Sequence, residues 1–118
     1  MLEERLKLNL TLVSEHISAI ESYFEEINTC QDFVTSKSGR AYFDAILMHL
    51  QVVGEILKKC YQEYPDYFNS KGEIPWREII RLRDLISHSY DKLQHEIIFD
   101  ICETYMGPLQ KVITNSLH

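Results

Sequence analysis

The chain has 118 residues, of which 45% are hydrophobic and 25% are charged, and this composition is that of one ordinary globular domain. Its formal net charge of -6 opposes the nonspecific attraction to phosphate on which most nucleic-acid-binding proteins depend. No apolar run approaches the ~20 residues that span a bilayer, and the first residues do not resemble a signal peptide, so we expect a cytoplasmic protein with no membrane segment.

The first predicted element is a long amphipathic helix over residues 2 to 28. Its apolar residues recur every three or four positions, which is the period of one helix face: Leu6, Leu10, Val13, Ile17, Ile20, Phe24 and Ile27. Residues 28 to 32 break this period, and residues 36 to 40 are typical of a turn. A second helix is therefore expected to follow this turn.

The second predicted helix covers residues 39 to 63. Its inward-facing residues again recur every three or four positions: Phe43, Ile46, Leu50, Val53, Leu57 and, at the end, Tyr61. Gly54 lies in the middle of this helix, where a glycine costs about 1 kcal/mol relative to alanine. A glycine in such a place indicates close packing against a neighbouring element.

The third predicted helix begins at Ile74-Pro75-Trp76, because proline is favoured in the first turn of a helix, and Trp76 is expected in the core at this helix start. The helix is expected to end around Ser87 and Ser89, which are better caps than helix-interior residues. A last helix is predicted over residues 95 to 116, with Gly107-Pro108 bending or interrupting it.

Together these elements predict an all-α fold. Helices with no convincing strand are typical of an antiparallel bundle, here of four to five helices. No internal repeat, low-complexity segment or linker divides the chain, so residues 1–118 are predicted to form a single domain.

The cysteines and histidines do not predict a metal site, because they share no ligand spacing. The three cysteines are interpreted as reduced thiols with packing roles: Cys30, Cys60 and Cys102. His16 and His49 lie within amphipathic helices and are interpreted as interface or solvated residues rather than ligands. No metal and no cofactor is therefore expected.

The segment from Arg83 to Tyr90 offers the most compact chemistry in the chain. It places Arg83, His88 and Tyr90 close together near a helix end. An arginine binds phosphate, an imidazole titrates near neutral pH, and a phenol hydroxyl can donate a hydrogen bond or receive a transferred group. The segment indicates work on a phosphodiester, and the plainer alternative is an arginine and a histidine that only cap a helix end.

The charge is unevenly distributed around this segment. Residues 71 to 92 contain five basic and four acidic residues, whereas the rest of the chain contains seven basic and fourteen acidic ones. A locally positive segment in an acidic protein is what a phosphate site would require, although an excess of one charge is weak support.

With these features the chain resembles the HEPN domains, and among them the HepT-like toxins of toxin-antitoxin pairs. The resemblance covers nearly the whole chain. It rests on the helix pattern and on these residues: Val53-Gly54-Glu55, Ile74-Pro75-Trp76, and the spacing of Arg83, His88 and Tyr90.

The resemblance implies a metal-independent ribonuclease whose homodimer cleaves RNA in a cleft lined by Arg83 and His88 of each protomer. It also implies a partner, a small nucleotidyltransferase antitoxin that can attach adenylyl groups to the motif tyrosine, here Tyr90. Added phosphate at that position would crowd and repel RNA. In such a site His88 would serve as the acid or base for attack by a ribose 2′-OH, and Arg83 would hold the phosphate.

Asp84 departs from the family pattern, because many relatives carry asparagine after the arginine. Its carboxylate would neutralise or orient Arg83, and it would raise the pKa of His88 if the two side chains lay close together. Asp84 and Ser87 are therefore expected to contact the substrate or to support the site.

Helical geometry separates the two catalytic candidates. At ~100° per residue, Arg83 and His88 point about 140° apart on a straight helix, whereas Asp84 and His88 share a face. Either the helix unwinds before His88, or a second copy of the motif completes the site across a two-fold axis.

A function of another class is a non-catalytic helical partner that docks a nucleotidyltransferase and helps it to present a substrate. The net charge of -6 and the Asp84 carboxylate both favour this alternative, because both oppose RNA binding. Toxicity on expression without the partner would distinguish the two functions.

Overall fold

A computed structural model of the protein describes residues 2–89 and 95–118, in which the regular elements are α-helices. They are α1 (Glu4–Phe24), α2 (Asp32–Thr35), α3 (Lys37–Glu63), α4 (Pro65–Asn69), α5 (Trp76–Ser89), α6 (His95–Thr104) and α7 (Met106–Leu117). The predicted all-α fold is confirmed. The four predicted helices correspond to α1, α3, α5 and the pair α6 and α7, and the short helices α2 and α4 lie in the predicted connections.

Helix α3 occupies the centre of the bundle, because it packs against both α1 and α5. It runs antiparallel to α1: Arg5 pairs with Glu63 near one end, and the rings of Tyr23 and Tyr42 meet near the other. Helix α7 packs on α1 and closes the core. Most of the residues predicted to face inward are buried, whereas Phe24, Phe43 and Tyr61 are only partly buried. The buried ones in the two long helices are Leu6, Leu10, Val13, Ile17, Ile20, Ile46, Leu50, Val53 and Leu57.

The ends of the first two long helices differ from the predicted ones. Helix α1 ends at Phe24 rather than near residue 28, and α3 begins at Lys37 rather than at residue 39. The earlier start of α3 has a local cause, because the Ser36 hydroxyl accepts a hydrogen bond of 2.9 Å from the Gly39 N–H. The segment predicted to be a turn is therefore a capped first turn of helix.

The predicted interruption of the last helix is present, at Tyr105 between α6 and α7. Pro108 explains the position of this break. A proline has no N–H to donate four residues back, and its ring clashes with the carbonyl there, which belongs to Thr104. Since Thr104 is the last residue of α6, Pro108 lies in the first turn of α7, where no such bond is needed.

The third helix was predicted to end around Ser87 and Ser89, and α5 agrees with that range, but the alternative that the helix unwinds before His88 is wrong. Helix α5 continues through Ser87 and His88 to Ser89. The Ser87 hydroxyl accepts a hydrogen bond of 3.0 Å from Gln51 of α3, which ties this part of α5 to α3. Arg83 and His88 therefore belong to one continuous helix.

Gly54 marks the close packing that its position in the sequence predicts. A Cβ added at Gly54 would lie 2.6 Å from the Cβ of Arg83, so α3 and α5 approach each other where the motif arginine leaves its helix. A side chain at this position would have to displace α5 or tilt the arginine. The close approach of the two helices therefore fixes the position of the Arg83 Cβ against α3.

We expect Gly54→Ala to lower the free energy of unfolding by about 1–3 kcal/mol through overpacking, although alanine favours the helix itself. Gly72→Ala is the matched control, because its Cβ would have a nearest neighbour at 3.9 Å, which is ordinary contact. We expect that control to stay within about 0.5 kcal/mol of the wild type in urea unfolding. Equal midpoints for Gly54→Ala and Gly72→Ala would contradict the close approach.

Two histidines predicted to be interface or solvated residues contact each other between α1 and α3. The Nδ1 atoms of His16 and His49 lie 2.9 Å apart, so one ring must donate and the other accept. Burial lowers the pKa of His49 below its ordinary value, and the neighbouring His16 ring lowers it further. The folded protein therefore holds His49 neutral at pH values where the unfolded chain already protonates it.

This difference predicts loss of stability in mild acid. Because the unfolded chain binds more protons below its ordinary histidine pKa of about 6.5, stability falls as the pH is lowered from there towards the folded pKa. We expect the thermal midpoint to fall between about pH 7 and pH 5.5 in the wild type, and to fall less in His49→Gln. His118→Gln, at the exposed end of the chain, should keep the wild-type pH dependence.

The described residues include no helix that is long and apolar enough to cross a membrane.

Cys60 and Cys102 are buried in the core, in agreement with a packing role, and Cys30 is half-buried. Burial raises the pKa of both buried thiols, that of Cys102 to about 12, so neither is a reactive thiolate at neutral pH.

Candidate active site on helices α3 and α5

Helix α5 forms because one of its faces is apolar at helical spacing. The buried face consists of Trp76, Ile79, Leu82 and Ile86. Trp76 also donates a hydrogen bond of 2.9 Å from Nε1 to the Lys71 carbonyl oxygen, which secures the helix start and agrees with its predicted core role. The opposite face of α5 is polar, and the motif side chains leave the helix from that face and from its α3 side.

Arg83 lies at the contact between α3 and α5 and is held by two carboxylates. Its Nε lies 2.6 Å from Glu55 Oε2, as an ion pair rather than a straight hydrogen bond. Its Nη1 donates a hydrogen bond of 2.8 Å to Asp84 Oδ1. The hydrogen bond to Asp84 and the charge of Glu55 both raise the pKa of Arg83, so the guanidinium is permanently charged.

Asp84 orients Arg83 as well as offsetting its charge. The hydrogen bond from Arg83 is the main reason why the pKa of Asp84 lies below its ordinary value, and the charges of Lys58 and His88 contribute in the same direction. Asp84 of α5 and Glu55 of α3 thus hold the guanidinium between them. Three of the five guanidinium N–H groups remain available to a ligand.

His88 is exposed on the polar face of α5. It lies one helical turn beyond Asp84, so the two side chains share a face. Because α5 is continuous, the Arg83 and His88 side chains leave it about 140° apart, and unwinding before His88 is excluded as the way to bring them together.

The other predicted site residues fall in different places. Ser87 is exposed and accepts a hydrogen bond from Gln51, so it fastens α5 to α3 beside His88. Tyr90, the predicted modification site, lies outside the described residues. Glu55 was named from the sequence only as part of the Val53-Gly54-Glu55 step, and the structure makes it a direct partner of Arg83. Its signal in the sequence is its position beside Gly54.

The described residues contain no group of three or more histidine, cysteine, aspartate and glutamate side chains that could hold a metal ion. The titratable side chains nearest the motif arginine are the two carboxylates that pair with it. The site thus consists of the Arg83 guanidinium, whose charge is partly offset by two carboxylates, and the exposed imidazole of His88 farther along the same helix.

Comparison with protein families finds a match to the family described as Ribonuclease HepT-like, over residues 13–115. A Methanocaldococcus jannaschii protein, named as a gamma-glutamylcyclotransferase and a candidate RNase, is 30% identical over 108 residues, which cover 92% of this chain and 46% of that protein. A Thermococcus cleftensis protein named as a probable ribonuclease HepT is 33% identical over 78 residues, covering 66% of this chain and 64% of that protein.

Another Methanocaldococcus jannaschii protein, named as a candidate RNase, is 37% identical over 57 residues, which cover 48% of this chain and 45% of that protein. The chain thus spans less than two thirds of the length of each of these relatives. No solved structure matches the chain significantly.

Proposed function

Because the chain belongs to the HepT-like ribonuclease family, we propose that it is a metal-independent RNA endonuclease whose reactive groups are Arg83 and His88. The relatives with ribonuclease names support RNA as the substrate. The observation that carries the proposal is the Arg83 guanidinium, which Glu55 and Asp84 hold at the contact between α3 and α5, five residues before the exposed imidazole of His88.

In this reaction a ribose 2′-OH attacks the adjacent phosphorus and the P–O5′ bond breaks, leaving a 2′,3′-cyclic phosphate and a 5′-OH. His88 removes the 2′-OH proton or gives a proton to the departing 5′-oxygen. Arg83 directs its free N–H groups at the phosphate oxygens, on which negative charge develops. The nucleophile belongs to the substrate, so it is held next to the phosphorus by the RNA itself.

The 140° separation favours a site that is shared between two copies of the chain. In a homodimer, Arg83 of one protomer and His88 of its partner face one phosphodiester across the two-fold axis. The continuous helix supports this arrangement, because unwinding no longer provides an alternative.

We further propose that the protein is the toxin of a toxin-antitoxin pair, with a nucleotidyltransferase antitoxin that adenylylates Tyr90. Tyr90 follows His88 by two residues in the sequence, and a phosphate added so close to the motif would crowd and repel RNA. Co-expression with such an antitoxin should add the mass of one or more adenylyl groups to the peptide that contains Tyr90. An unshifted peptide would remove this part of the proposal.

The proposal is tested by incubating the purified protein with single-stranded RNA in excess chelator. We expect cleavage products with cyclic phosphate and 5′-OH ends, and no cleavage of DNA of the same sequence, since DNA lacks the 2′-OH. Cleavage of that DNA, or 5′-phosphate ends on the RNA products, would contradict attack by the 2′-OH.

The two carboxylates around Arg83 favour a second candidate, the non-catalytic partner of a nucleotidyltransferase. Glu55 and Asp84 offset the positive charge of Arg83, which RNA would need for binding. Harmless expression without a partner, together with stable binding of a nucleotidyltransferase and no RNA cleavage, would support this function over the first.

Asp84→Asn separates the orienting effect of Asp84 from its charge. An asparagine keeps an oxygen that accepts from Arg83 Nη1 but removes the negative charge beside the bound phosphate. We therefore expect RNA cleavage, measured as kcat/KM, to rise roughly two- to five-fold, the range for a half-exposed charge. Glu103→Gln, which replaces an exposed carboxylate on α6 outside the motif, controls for the change in net charge, and a fall in kcat/KM specific to Asp84→Asn would show that the carboxylate itself is needed.

A further inference from the structure

An open groove of about 350 Å³ lies between α3 and α5, beside the candidate active site. Lys58 and Tyr61 line it from α3, and Arg77, Arg81 and Asp84 line it from α5. We propose that this groove binds the single-stranded RNA on one side of the phosphodiester that is cut. The inference rests on the proposed function and adds to it the path of the substrate.

The groove is cationic on an acidic protein. It carries three basic side chains and one carboxylate, whereas the whole chain has a formal net charge of -6. Within the part of the chain that the structure describes, Lys58, Arg77 and Arg81 form no ion pair, and the Asp84 carboxylate is already bonded to Arg83. These three cations are therefore available to phosphates.

Tyr61 gives the groove an aromatic wall. Its ring packs against Phe68 with ring centroids 5.3 Å apart, which fixes the ring, while the tyrosine still lines the groove. A cationic groove with an aromatic side chain is the combination by which proteins bind single-stranded nucleic acid, because the cations follow the phosphates and the ring stacks on a base.

Helical phase connects the groove to His88. At ~100° per residue, Arg77, Arg81, Asp84 and His88 leave α5 within about 60° of one another. The row of groove side chains therefore leads directly to the proposed acid-base group. Asp84 belongs to both regions, because it lines the groove and holds the Arg83 guanidinium.

The length of this row limits how much RNA the groove can hold. Arg77 and His88 are eleven residues apart, which is about 16 Å along the helix axis at 1.5 Å per residue. At the 3.4 Å spacing of stacked nucleotides in one strand, this length holds no more than about five of them. We therefore expect cleavage efficiency to rise with RNA length and to level off after about five nucleotides on that side of the cut.

An acidic protein surface is the competing occupant, because it would also bind the three cations. It would make no use of the Tyr61 ring, and it would not require the row to end at an acid-base group. The continuity from Arg77 to His88 thus favours RNA as the occupant.

The test compares the wild type with the double variant Arg77→Gln/Arg81→Gln and with the charge-matched control Lys7→Gln/Lys111→Gln, whose exposed lysines do not line the groove. Binding is measured with uncleavable 2′-O-methyl oligouridine of about ten nucleotides over a range of salt concentrations. Cleavage is measured on RNA of increasing length, from a dinucleotide upwards.

We expect the groove variant to bind the oligonucleotide at least 10-fold more weakly than the control at low salt. The slope of log K against log salt should fall by about 1.4, because each phosphate contact on a single strand contributes about 0.7. The variant should cleave the dinucleotide like the wild type and lose the gain in kcat/KM with length. Tyr61→Leu should weaken binding without changing the salt slope, whereas Tyr61→Phe should keep wild-type affinity.

Equal affinities and salt slopes for the groove variant and the control would overturn the inference. So would a groove variant that keeps RNA binding but loses binding of an acidic peptide such as oligoglutamate. The two proposals fail separately: a wild type that binds the oligonucleotide through the groove but cleaves no RNA disproves the ribonuclease alone. A groove variant that cleaves RNA of every length like the wild type disproves the groove alone.

Discussion

Replacing His88 by alanine is expected to lower kcat for RNA cleavage by about 10²- to 10⁴-fold, which is the usual contribution of one general acid or base. The expectation follows from the position of His88 as the exposed imidazole at the end of the polar face of α5. The loss should appear in kcat more than in KM, because the imidazole acts in the transition state and contributes little to holding the RNA.

The structure makes this experiment easy to interpret. His88 is exposed, so its removal should leave the thermal midpoint almost unchanged, and a loss of activity would not reflect unfolding. His118→Ala, which removes an exposed histidine at the end of the chain, is the matched control and should cleave RNA like the wild type. Unchanged kcat in His88→Ala would remove His88 from the mechanism.

The second large effect is expected for Arg83→Ala, which should reduce kcat by about 10²- to 10³-fold, the range for loss of one donor to a developing oxyanion. Two losses combine in this variant. The phosphate loses its guanidinium, and Glu55 and Asp84 lose their common partner, so two carboxylates then face the substrate uncompensated.

Arg83→Lys distinguishes these two losses. A lysine restores one positive charge near the carboxylates but lacks the planar fork with which arginine contacts several oxygens at once. We expect Arg83→Lys to recover RNA binding better than kcat. Arg5→Ala breaks the ion pair between Arg5 and Glu63, which has the same 2.6 Å N–O distance but involves no residue that lines the groove or belongs to the motif, so this variant should retain wild-type cleavage. Full activity in Arg83→Ala would contradict the proposed role.

The helical fold could be predicted from the sequence because its apolar residues keep one period along α1 and α3 and at the start of α5. The close packing at Gly54 could be predicted for a related reason, since a glycine inside a helix needs a neighbour that excludes a side chain. Both predictions use information that is local in the chain.

The details of the candidate site could not be predicted, because they depend on contacts between residues that are far apart in the sequence. The hydrogen bond from Gln51 to Ser87 joins residues that are 36 positions apart and leaves no mark in the local sequence, so the continuity of α5 through His88 could not be predicted. The pairing of Arg83 with Glu55 and the groove that joins Tyr61 to Arg77 both arise only from the antiparallel packing of α3 against α5. The spacing in the sequence identified Arg83 and His88 as candidate catalytic residues. Only the structure shows that α5 is continuous between them, so that their side chains point apart.

The three contacts of Arg83 also have an entropic consequence. Its Cβ lies against Gly54, its Nε against Glu55 and its Nη1 against Asp84, so this long side chain is fixed at both ends before any ligand arrives. An arginine that is free in solution loses many rotamers when it binds a phosphate, and that loss weakens binding. Here the loss has already occurred during folding, so the carboxylates that reduce the charge of Arg83 also preorganise it for the phosphate.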